Sequence, residues 1–257
     1  MKVGNYLKTS DIARDVGCHP NTVRKYEEWG YIPKAPRSHS NYRLFNYFHL
    51  EHMRLAWTAF SGLYPGRSIK RSAYKLVRQA ASGDLGGSLE MAYVHVALVQ
   101  SEYAQAQAAA DLLERWSAGI STDATIGPLM IGEASNLLGV TTDMLRNWEN
   151  NGLIVVPRAQ NGYRQYGAVE IGRLRVIRML VRAGYSMMAI LRMLLELDKD
   201  KVGVRDLRRI LDTPREDEDV FTAADQWLST LENQEQKALQ VIEILVRMIE
   251  AQATEGT

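Results

Sequence analysis

The feature that most constrains this chain of 257 residues is an internal repeat. A shift of 122 residues aligns Gly17 with Gly139, Arg24 with Arg146, Glu27 with Glu149, Gly30 with Gly152 and Ile32 with Ile154. After a slip of one residue, a shift of 121 aligns Pro36-Arg37 with Pro157-Arg158, Tyr42-Arg43 with Tyr163-Arg164, Arg54 with Arg175 and Tyr64 with Tyr185. Because the matches keep one order and fall on turn glycines and on basic or aromatic positions, we interpret the chain as a tandem duplication.

The charge alternates in step with the repeat, although the whole chain carries only +1. Residues 1–80 carry +9 and residues 81–128 carry −5, whereas residues 129–211 carry +5 and residues 212–257 carry −8. This pattern predicts two modules that face a polyanion, each followed by a segment that faces away from it.

Each copy predicts two short helices joined by a glycine-containing turn. In the first copy, Thr9 or Ser10 caps a helix that ends at Gly17, and Pro20 opens a second helix that stops at Gly30. In the second copy, Gly132 precedes a helix that ends at Gly139, and Thr141 caps a second helix that stops at Gly152. This is the pattern of a helix-turn-helix, whose second helix can enter a DNA major groove.

A short hairpin is predicted after each helix pair. In LIVVPRAQNGYRQY the pair Asn161-Gly162 is typical of a two-residue hairpin turn, and YIPKAPRSHSNYRLF has a longer polar turn at the same place. Arginine and tyrosine flank both turns, and these side chains suit contacts with a phosphate backbone. We therefore interpret the hairpins as wings.

Both copies resemble the DNA-binding domain of the MerR family of transcription regulators. The second copy resembles the family pattern from IGEASNLLGVTTDMLRNWENNGLI to RVIRMLVRAGYSMMAILRML, and the first departs from it after Trp57. The resemblance implies that Arg24 and Arg146 contact phosphates, although Lys25 and Asn147 stand where the family has an aromatic residue. The candidate DNA-binding residues are Asn21, Thr22, Arg24, Lys25, Tyr26, Arg37, Tyr42, Arg43, Thr142, Asp143, Arg146, Asn147, Trp148, Arg158, Tyr163 and Arg164.

A long helix is predicted after each of these domains. Apolar residues alternate in steps of three and four at Leu89, Ala92, Val96, Val99, Tyr103, Ala106, Ala110 and Leu113. After a capping box at Thr213-Pro214-Arg215-Glu216, the same heptad runs through Phe221, Ala224, Leu228, Leu231, Glu235, Ala238, Ile242, Leu245 and Ile249. Such stripes are typical of packing surfaces.

The sequence therefore predicts a mainly α fold with two winged helix-turn-helix domains, each followed by a long helix, and the two long helices pair as an antiparallel coiled coil. The predicted boundaries are 1–80 for the first domain, 81–117 for the first long helix, 118–128 for a linker, 129–203 for the second domain, and 204–257 for the second long helix with a short tail. We expect a monomeric pseudo-dimer, and the alternative is an ordinary homodimer with four DNA-binding domains.

The predicted function is sequence-specific binding of double-stranded DNA at a promoter or operator, in transcription regulation. Because the two recognition helices differ, the two half-sites should differ as well. RNA polymerase is a partner that the resemblance implies. The alternative is a protein that sequesters a small molecule or peptide on a MerR-like scaffold. An enzyme is not expected, since the sequence lacks a glycine-rich phosphate loop and the usual catalytic combinations.

Ligand, metal and membrane sites have little support in the sequence. Tyr93, Tyr103, Trp116 and Trp227 could line an aromatic pocket, although core packing is the more ordinary role for them. His49 and His52 are spaced as a metal pair, but an isolated pair of this kind is seldom a metal site, and the lone Cys18 forms no CxxC motif. We predict no metal, no cofactor and no membrane partner, and a cytoplasmic location.

Overall fold

A computed structural model of the protein describes residues 6–62, 66–117, 127–199, 207–214 and 223–255. In this part of the chain the structure is mainly helical, as predicted, and β structure is limited to four isolated antiparallel bridges. The chain divides into two compact units: unit 1 is Met1–Ser101 with Glu232–Thr257, and unit 2 is Glu102–Leu231. Within the described residues, no helix combines the length and the apolar character needed to cross a bilayer.

Eleven α-helices lie in the described residues. In the first copy they are α1 (Thr9–Val16), α2 (Pro20–Glu28), α3 (Tyr47–Phe60), α4 (Gly66–Ala81) and the long α5 (Leu85–Ser117). In the second copy they are α6 (Ile131–Leu138), α7 (Thr142–Asn150), α8 (Ala168–Arg182), α9 (Met187–Leu197), the short α10 (Leu207–Asp212) and the long α11 (Trp227–Glu255), which follows a 3-10 turn at Ala223–Gln226. The division between the two units falls inside α5 and inside α11.

The starts of the short helices agree only partly with the predicted caps. Thr141 caps α7 as predicted, since its Oγ1 accepts a hydrogen bond from the Met144 N–H at 3.1 Å. The prediction for α1 is wrong, because Thr9 is the first helical residue and Lys8 is the cap. Lys8 makes no side-chain cap hydrogen bond, and its N–H donates to Asp11 Oδ2 at 2.9 Å, so an acid in the first turn accepts from the backbone of the cap residue.

The predicted helix stops agree with the structure. Gly17 and Gly139 end α1 and α6 with φ angles of 71° and 59°. Gly30 and Gly152, just beyond α2 and α7, have φ angles of 72° and 76°. A left-handed backbone at these positions favours glycine because it has no Cβ. Gly132 lies inside α6 rather than before it.

The second long helix begins later than predicted. It starts at Trp227 rather than directly after Thr213, and the short α10 lies before it. Helix α10 packs against α9, as does the 3-10 turn. Arg192 of α9 donates to the carbonyls of Ile210, Leu211 and Asp225, which joins these pieces. Part of the predicted long helix is therefore an addition to the second domain.

Several predicted features lie outside the described residues. They are the repeat position Tyr64, most of the linker (118–126), Arg215 and Glu216 of the capping box, and Phe221 of the heptad.

The core of unit 1 joins the first domain to the end of the chain. Val23, Phe45 and Leu55 are buried in one cluster with Ala92 of α5 and Leu245 of α11. Gln100 Nε2 of α5 donates to Glu235 Oε1 of α11 at 2.8 Å. The C-terminal helix therefore packs in the same core as the first domain and the start of α5, while the antiparallel coiled coil remains a prediction.

The core of unit 2 joins the second domain to the end of α5. The Tyr185 hydroxyl donates to the Ala106 carbonyl of α5 at 3.1 Å, and Trp227 Nε1 donates to the Ala183 carbonyl at 2.6 Å. Gly184, with φ 97°, leaves room for the Trp227 ring, which would lie 2.7 Å from a Cβ at this position. Each unit is thus completed by a long-helix segment that follows the other domain in sequence.

Candidate nucleic-acid interface

The two helix-turn-helix pairs present matching exposed faces. In α2, Asn21, Arg24 and Lys25 are exposed and Thr22 is half-buried. In α7, the corresponding residues Asp143, Arg146 and Asn147 are exposed, Met144 is also exposed, and Thr142 is half-buried. Met144 stands at the position of Thr22 in the repeat. These faces are exposed, as a helix that enters a DNA major groove requires.

Two predicted contact residues are buried instead. Tyr26 is 9% exposed and Trp148 is 3% exposed, and they occupy equivalent places on α2 and α7. Tyr26 packs among Tyr31, Trp57 and Phe60, and burial raises the pKa of its hydroxyl to about 12. These two side chains fix each recognition helix to its domain, and their prediction as DNA contacts is not supported by their position.

The two recognition helices differ in charge. Arg24 and Lys25 of α2 have no carboxylate within ion-pair distance among the described residues. In α7, Arg146 donates to Asp143 Oδ1 at 2.7 Å, and Asn147 replaces Lys25. The Asp143 side chain is 86% exposed. The exposed face of the first recognition helix is therefore the more positively charged of the two.

The wings form in both copies, but with a different turn from the predicted one. Single bridges join Arg37 to Arg43 and Arg158 to Arg164. In the second wing, the Gly162 N–H donates to the Ala159 carbonyl and the Ala159 N–H donates to the Tyr163 carbonyl, both at 2.8 Å. Asn161 has no positive φ, which a two-residue type I′ turn needs, whereas Gly162 has φ 82°. The turn therefore has three residues and ends on a left-handed residue.

The first wing has the same turn length, so the prediction of a longer turn is wrong. The Asn41 N–H donates to the Ser38 carbonyl, and the Ser38 N–H donates to the Tyr42 carbonyl, both at 2.9 Å. Asn41 has φ 63° and takes the place of Gly162. Asparagine tolerates this conformation better than most residues, which explains why one wing uses it in place of glycine.

A glutamate, buried in the first copy and half-buried in the second, connects each wing to its recognition helix. Glu27 Oε2 accepts a short hydrogen bond from Arg43 Nε and lies 4.0 Å from the Arg37 guanidinium. The Ala35 N–H donates to the other oxygen of Glu27 at 3.2 Å.

The second copy repeats this arrangement. Glu149 accepts from Arg164 Nε at 2.5 Å and from Arg158 at 3.0 Å. The sequence reasoning missed this role of the glutamates, although their alignment in the repeat was the signal for it.

This contact divides the wing arginines into two classes. The side chains of Arg43 and Arg164 are 18% and 25% exposed, so they mainly hold the wing in place. Those of Arg37 and Arg158 are 43% and 47% exposed, so they remain available to phosphates. Tyr42 and Tyr163 are 74% and 61% exposed at the wing tips. Each unit therefore presents a recognition helix and a wing joined by a charged brace.

The four aromatic residues considered for a ligand pocket have separate surroundings. Tyr93 is exposed on α5 in unit 1. Tyr103 and Trp116 are half-buried on α5 in unit 2, where Trp227 is 5% exposed and bonded to Ala183. Trp227 thus serves the core of unit 2.

The histidines considered for a metal are also buried in a domain. His52 has its two ring nitrogens 2.9 and 3.1 Å from the carbonyl oxygens of Phe48 and Ala80. His49 Nδ1 lies against Asn46 Oδ1 at the start of α3. Both residues therefore serve the packing of α3, and the described residues contain no cluster of three or more side chains that could hold a metal ion.

The fold and these two sites define a protein with two winged helix-turn-helix domains. Comparison with known families agrees: residues 8–45 match the MerR family regulatory protein model, and residues 129–197 match the MerR HTH family regulatory protein model. Each copy of the repeat therefore matches a MerR-family model over these residues, which confirms the resemblance seen in the sequence. No solved structure matches the chain significantly.

Three relatives are described as regulators. A probable heavy metal-dependent transcriptional regulator of Haemophilus influenzae is 35% identical over 79 residues, covering 30% of this chain and 62% of the relative. The mercuric resistance operon regulatory protein of Bacillus cereus is 33% identical over 78 residues, covering 30% and 59%. The HTH-type transcriptional regulator HmrR of Rhizobium leguminosarum bv. viciae is 39% identical over 85 residues, covering 32% and 64%. The chain thus spans about three fifths of the length of these relatives.

Proposed function

We propose that this protein is a DNA-binding transcriptional regulator that acts as a single-chain pseudo-dimer. The observation that carries the proposal is the composition of the two units. Unit 1 takes its last segment, 232–257, from the helix after the second domain, and unit 2 takes 102–117 from the helix after the first. Such an exchange of helices normally needs two subunits, and here one chain supplies both sides.

The two domains would read non-identical half-sites of one operator. Asn21, Arg24 and Lys25 offer two cations and an amide to the first half-site. Asp143, Arg146 and Asn147 offer a carboxylate, its paired cation and an amide to the second. Because an amide favours adenine and a carboxylate favours the amino group of cytosine, different base pairs should be preferred. The wing arginines Arg37 and Arg158 would hold the flanking phosphates.

The test combines a measurement of the particle mass in solution with a footprint of the protein on DNA. The mass in solution is measured by light scattering, alone and with a genomic DNA fragment selected by binding. We expect a particle of 29.0 kDa that binds one duplex and protects two half-sites of different sequence. A particle of about twice this mass would show a homodimer and overturn the pseudo-dimer.

Replacing one half-site of the selected operator by an inverted copy of the other, so that the site becomes palindromic, provides the second arm. We expect each palindrome to bind roughly tenfold or more weakly than the selected operator, since each mismatched base pair costs about 1–3 kcal/mol. Two palindromes that both bind as tightly as the selected operator would contradict asymmetric reading. A chain that binds no duplex at any salt concentration would contradict the regulator and favour a sequestering protein.

A further inference from the structure

A row of aromatic rings, of which one is exposed and two are half-buried, lies at the C-terminal end of α2. Trp29, the residue after the helix, is 52% exposed, which is unusual for so large an apolar side chain. Its ring centroid lies 6.0 Å from that of Tyr31. Tyr31 in turn stacks on Tyr74 of α4, with centroids 5.5 Å apart and an interplanar angle of 14°. The row therefore runs from the recognition helix to α4.

Cations lie over each of these rings. Lys25 Nζ is 5.9 Å from the centroid of the Trp29 ring, Lys70 Nζ is 5.7 Å from that of Tyr74, and the Arg78 guanidinium carbon is 5.4 Å from that of Tyr31. We call these six residues the cationic-aromatic surface: Lys25, Trp29, Tyr31, Lys70, Tyr74 and Arg78.

Helix α4 extends this surface with further positive charge. It has no acidic residue and five basic ones, Arg67, Lys70, Arg71, Lys75 and Arg78, all of them exposed. These residues and Tyr74 line an open furrow of about 540 Å³. From the first cation to the last, the helix rises about 16 Å, which is the length of about five nucleotides of one strand.

The second copy shows that the fold does not need this surface. Asn147, Asn151 and Leu153 stand at the repeat positions of Lys25, Trp29 and Tyr31. Helix α9 has one basic residue, Arg192, which is 3% exposed and bonded to backbone carbonyls. Helix α10 and the 3-10 turn pack on α9. An exposed tryptophan and five exposed cations in one copy alone therefore indicate a role beyond stability.

We propose that the cationic-aromatic surface of unit 1 binds single-stranded DNA. The cations of α4 hold the phosphates, and a base stacks on the exposed ring of Trp29. This combination of a positive furrow with flat rings fits a single strand, since every base has a face that can stack. A closed duplex fits it less well, because its base faces are already stacked on one another. Of the six residues of this surface, only Lys25 is also assigned to the reading of the first half-site.

The experiment measures binding of a fluorescent oligothymidylate of about 12 nucleotides to the whole protein by anisotropy, at several salt concentrations. We expect the protein to bind this strand more tightly than a duplex of the same length that lacks the operator. Trp29→Ala should weaken binding by roughly 5- to 100-fold, since a stacked base contributes about 1–3 kcal/mol. The salt dependence should stay the same, because no charge is lost.

Three further variants test the assignment. Trp29→Phe should retain most of the affinity, since a ring remains. Lys75→Gln should lower the slope of log Kd against log salt by about 0.7, the value for one phosphate contact of a single strand. Asn151→Ala, at the matching position of the second copy, should leave the affinity for oligothymidylate and its salt dependence unchanged. Circular dichroism shows whether each variant is folded.

Two results would overturn the proposal. The first is equal affinity of the unaltered protein for the single strand and for the non-operator duplex. The second is a folded Trp29→Ala protein whose affinity for oligothymidylate is unchanged. A protein that binds its selected operator but not oligothymidylate would overturn this inference alone, whereas one that binds only the single strand would overturn the proposed operator function.

Discussion

At the scale of single residues, the tandem repeat gives each position a natural counterpart for comparison. Phe45 and Tyr166 stand at equivalent places, pair with Leu7 and Leu129 through single bridges, and are each fully buried. The Tyr166 hydroxyl has no hydrogen-bond partner in the described residues. Burial also raises the pKa of this hydroxyl, so it remains neutral. A buried polar atom without a partner costs free energy that the phenylalanine in the first copy does not.

We therefore expect Tyr166→Phe to increase the free energy of unfolding of unit 2 by about 1 kcal/mol. The reverse change, Phe45→Tyr, should destabilise unit 1 by roughly 1–3 kcal/mol, since it buries a new hydroxyl in a packed core. Denaturant unfolding followed by circular dichroism gives both values. A loss of stability in Tyr166→Phe would show that the hydroxyl has a partner such as a bound water.

Asp143 is the residue that most separates the two recognition helices. Its carboxylate pairs with Arg146 and faces the side where phosphates are expected, whereas Asn21 holds the matching position in α2. A carboxylate there repels DNA unless it meets a donor such as the amino group of cytosine.

We expect Asp143→Asn to tighten binding to random duplex DNA by roughly 3- to 10-fold and to steepen the salt dependence by about one phosphate equivalent. Base preference in the second half-site should relax at one position. The matched variant Asn21→Asp should weaken non-specific binding by a similar factor. Anisotropy titrations at several salt concentrations measure both, and identical salt slopes for all three proteins would contradict this role.

At the scale of structural elements, the glutamate brace decides how each wing is placed beside its recognition helix. Glu149 holds Arg164 and Arg158, and Glu27 holds Arg43 and the Ala35 N–H. Removing the carboxylate charge leaves two partly buried guanidinium groups without their anion.

We expect Glu149→Gln to lower affinity for the selected operator by roughly tenfold while leaving non-specific binding equal or stronger. The wing would be less well positioned, which affects specific binding, but the net charge becomes more positive, which favours any DNA. Glu28→Gln is the control, since the Glu28 side chain is 62% exposed and lies 3.8 Å from Arg43. Titrations with the operator and with a random duplex measure the ratio of the two affinities. An equal loss of affinity for both DNAs would contradict the role of Glu149 in positioning the wing.

The same elements show which features could be predicted from the sequence and which could not. Three features could be predicted: the helix pairs, the glycine stops and the wings. Each depends on local backbone geometry, and glycine and proline mark that geometry in the sequence because they favour particular backbone conformations. The turn type could not, because Asn-Gly suits both a two-residue turn and the last two positions of a three-residue turn. The alignment of Glu27 with Glu149 marked these positions but not their partners, because the pairing of Glu149 with two wing arginines depends on contacts 9 and 15 residues apart. Which long helix completes which domain depends on tertiary packing, so it did not follow from the apolar stripes.

At the scale of the whole molecule, the two units differ in how they should respond to acid. All five histidines of the chain lie between residues 19 and 95, in unit 1. Burial lowers the pKa of His95 to about 4, and its Nδ1 has no hydrogen-bond partner in the described residues. Burial also lowers the pKa values of His49 and His52. Unit 2 has no histidine, so acidification acts on it only through other groups.

The sign of the effect follows from where the protons bind. Above the ordinary histidine pKa of 6.5, the folded and unfolded states both carry a neutral ring, and the full stability of unit 1 is present. As the pH falls from there towards about 4, the unfolded chain binds protons that the folded unit excludes, so stability is lost. His95 alone should lower the free energy of unfolding of unit 1 by about 2 kcal/mol at about pH 5, and the two other buried histidines should lower it further.

We therefore expect unit 1 to open before unit 2 when the pH is lowered from about 7.5 to about 5. Hydrogen exchange read by mass spectrometry separates the two, because peptides from α3 and α8 report on unit 1 and unit 2. The variant His95→Leu should lose less of the protection of α3 on acidification, since it removes one of the groups that must be protonated on unfolding. If α3 and α8 lost protection to the same extent in the unaltered protein, the buried histidines would not control the acid response. If unit 1 alone opens, the first recognition helix should release DNA in acid while the second still holds it.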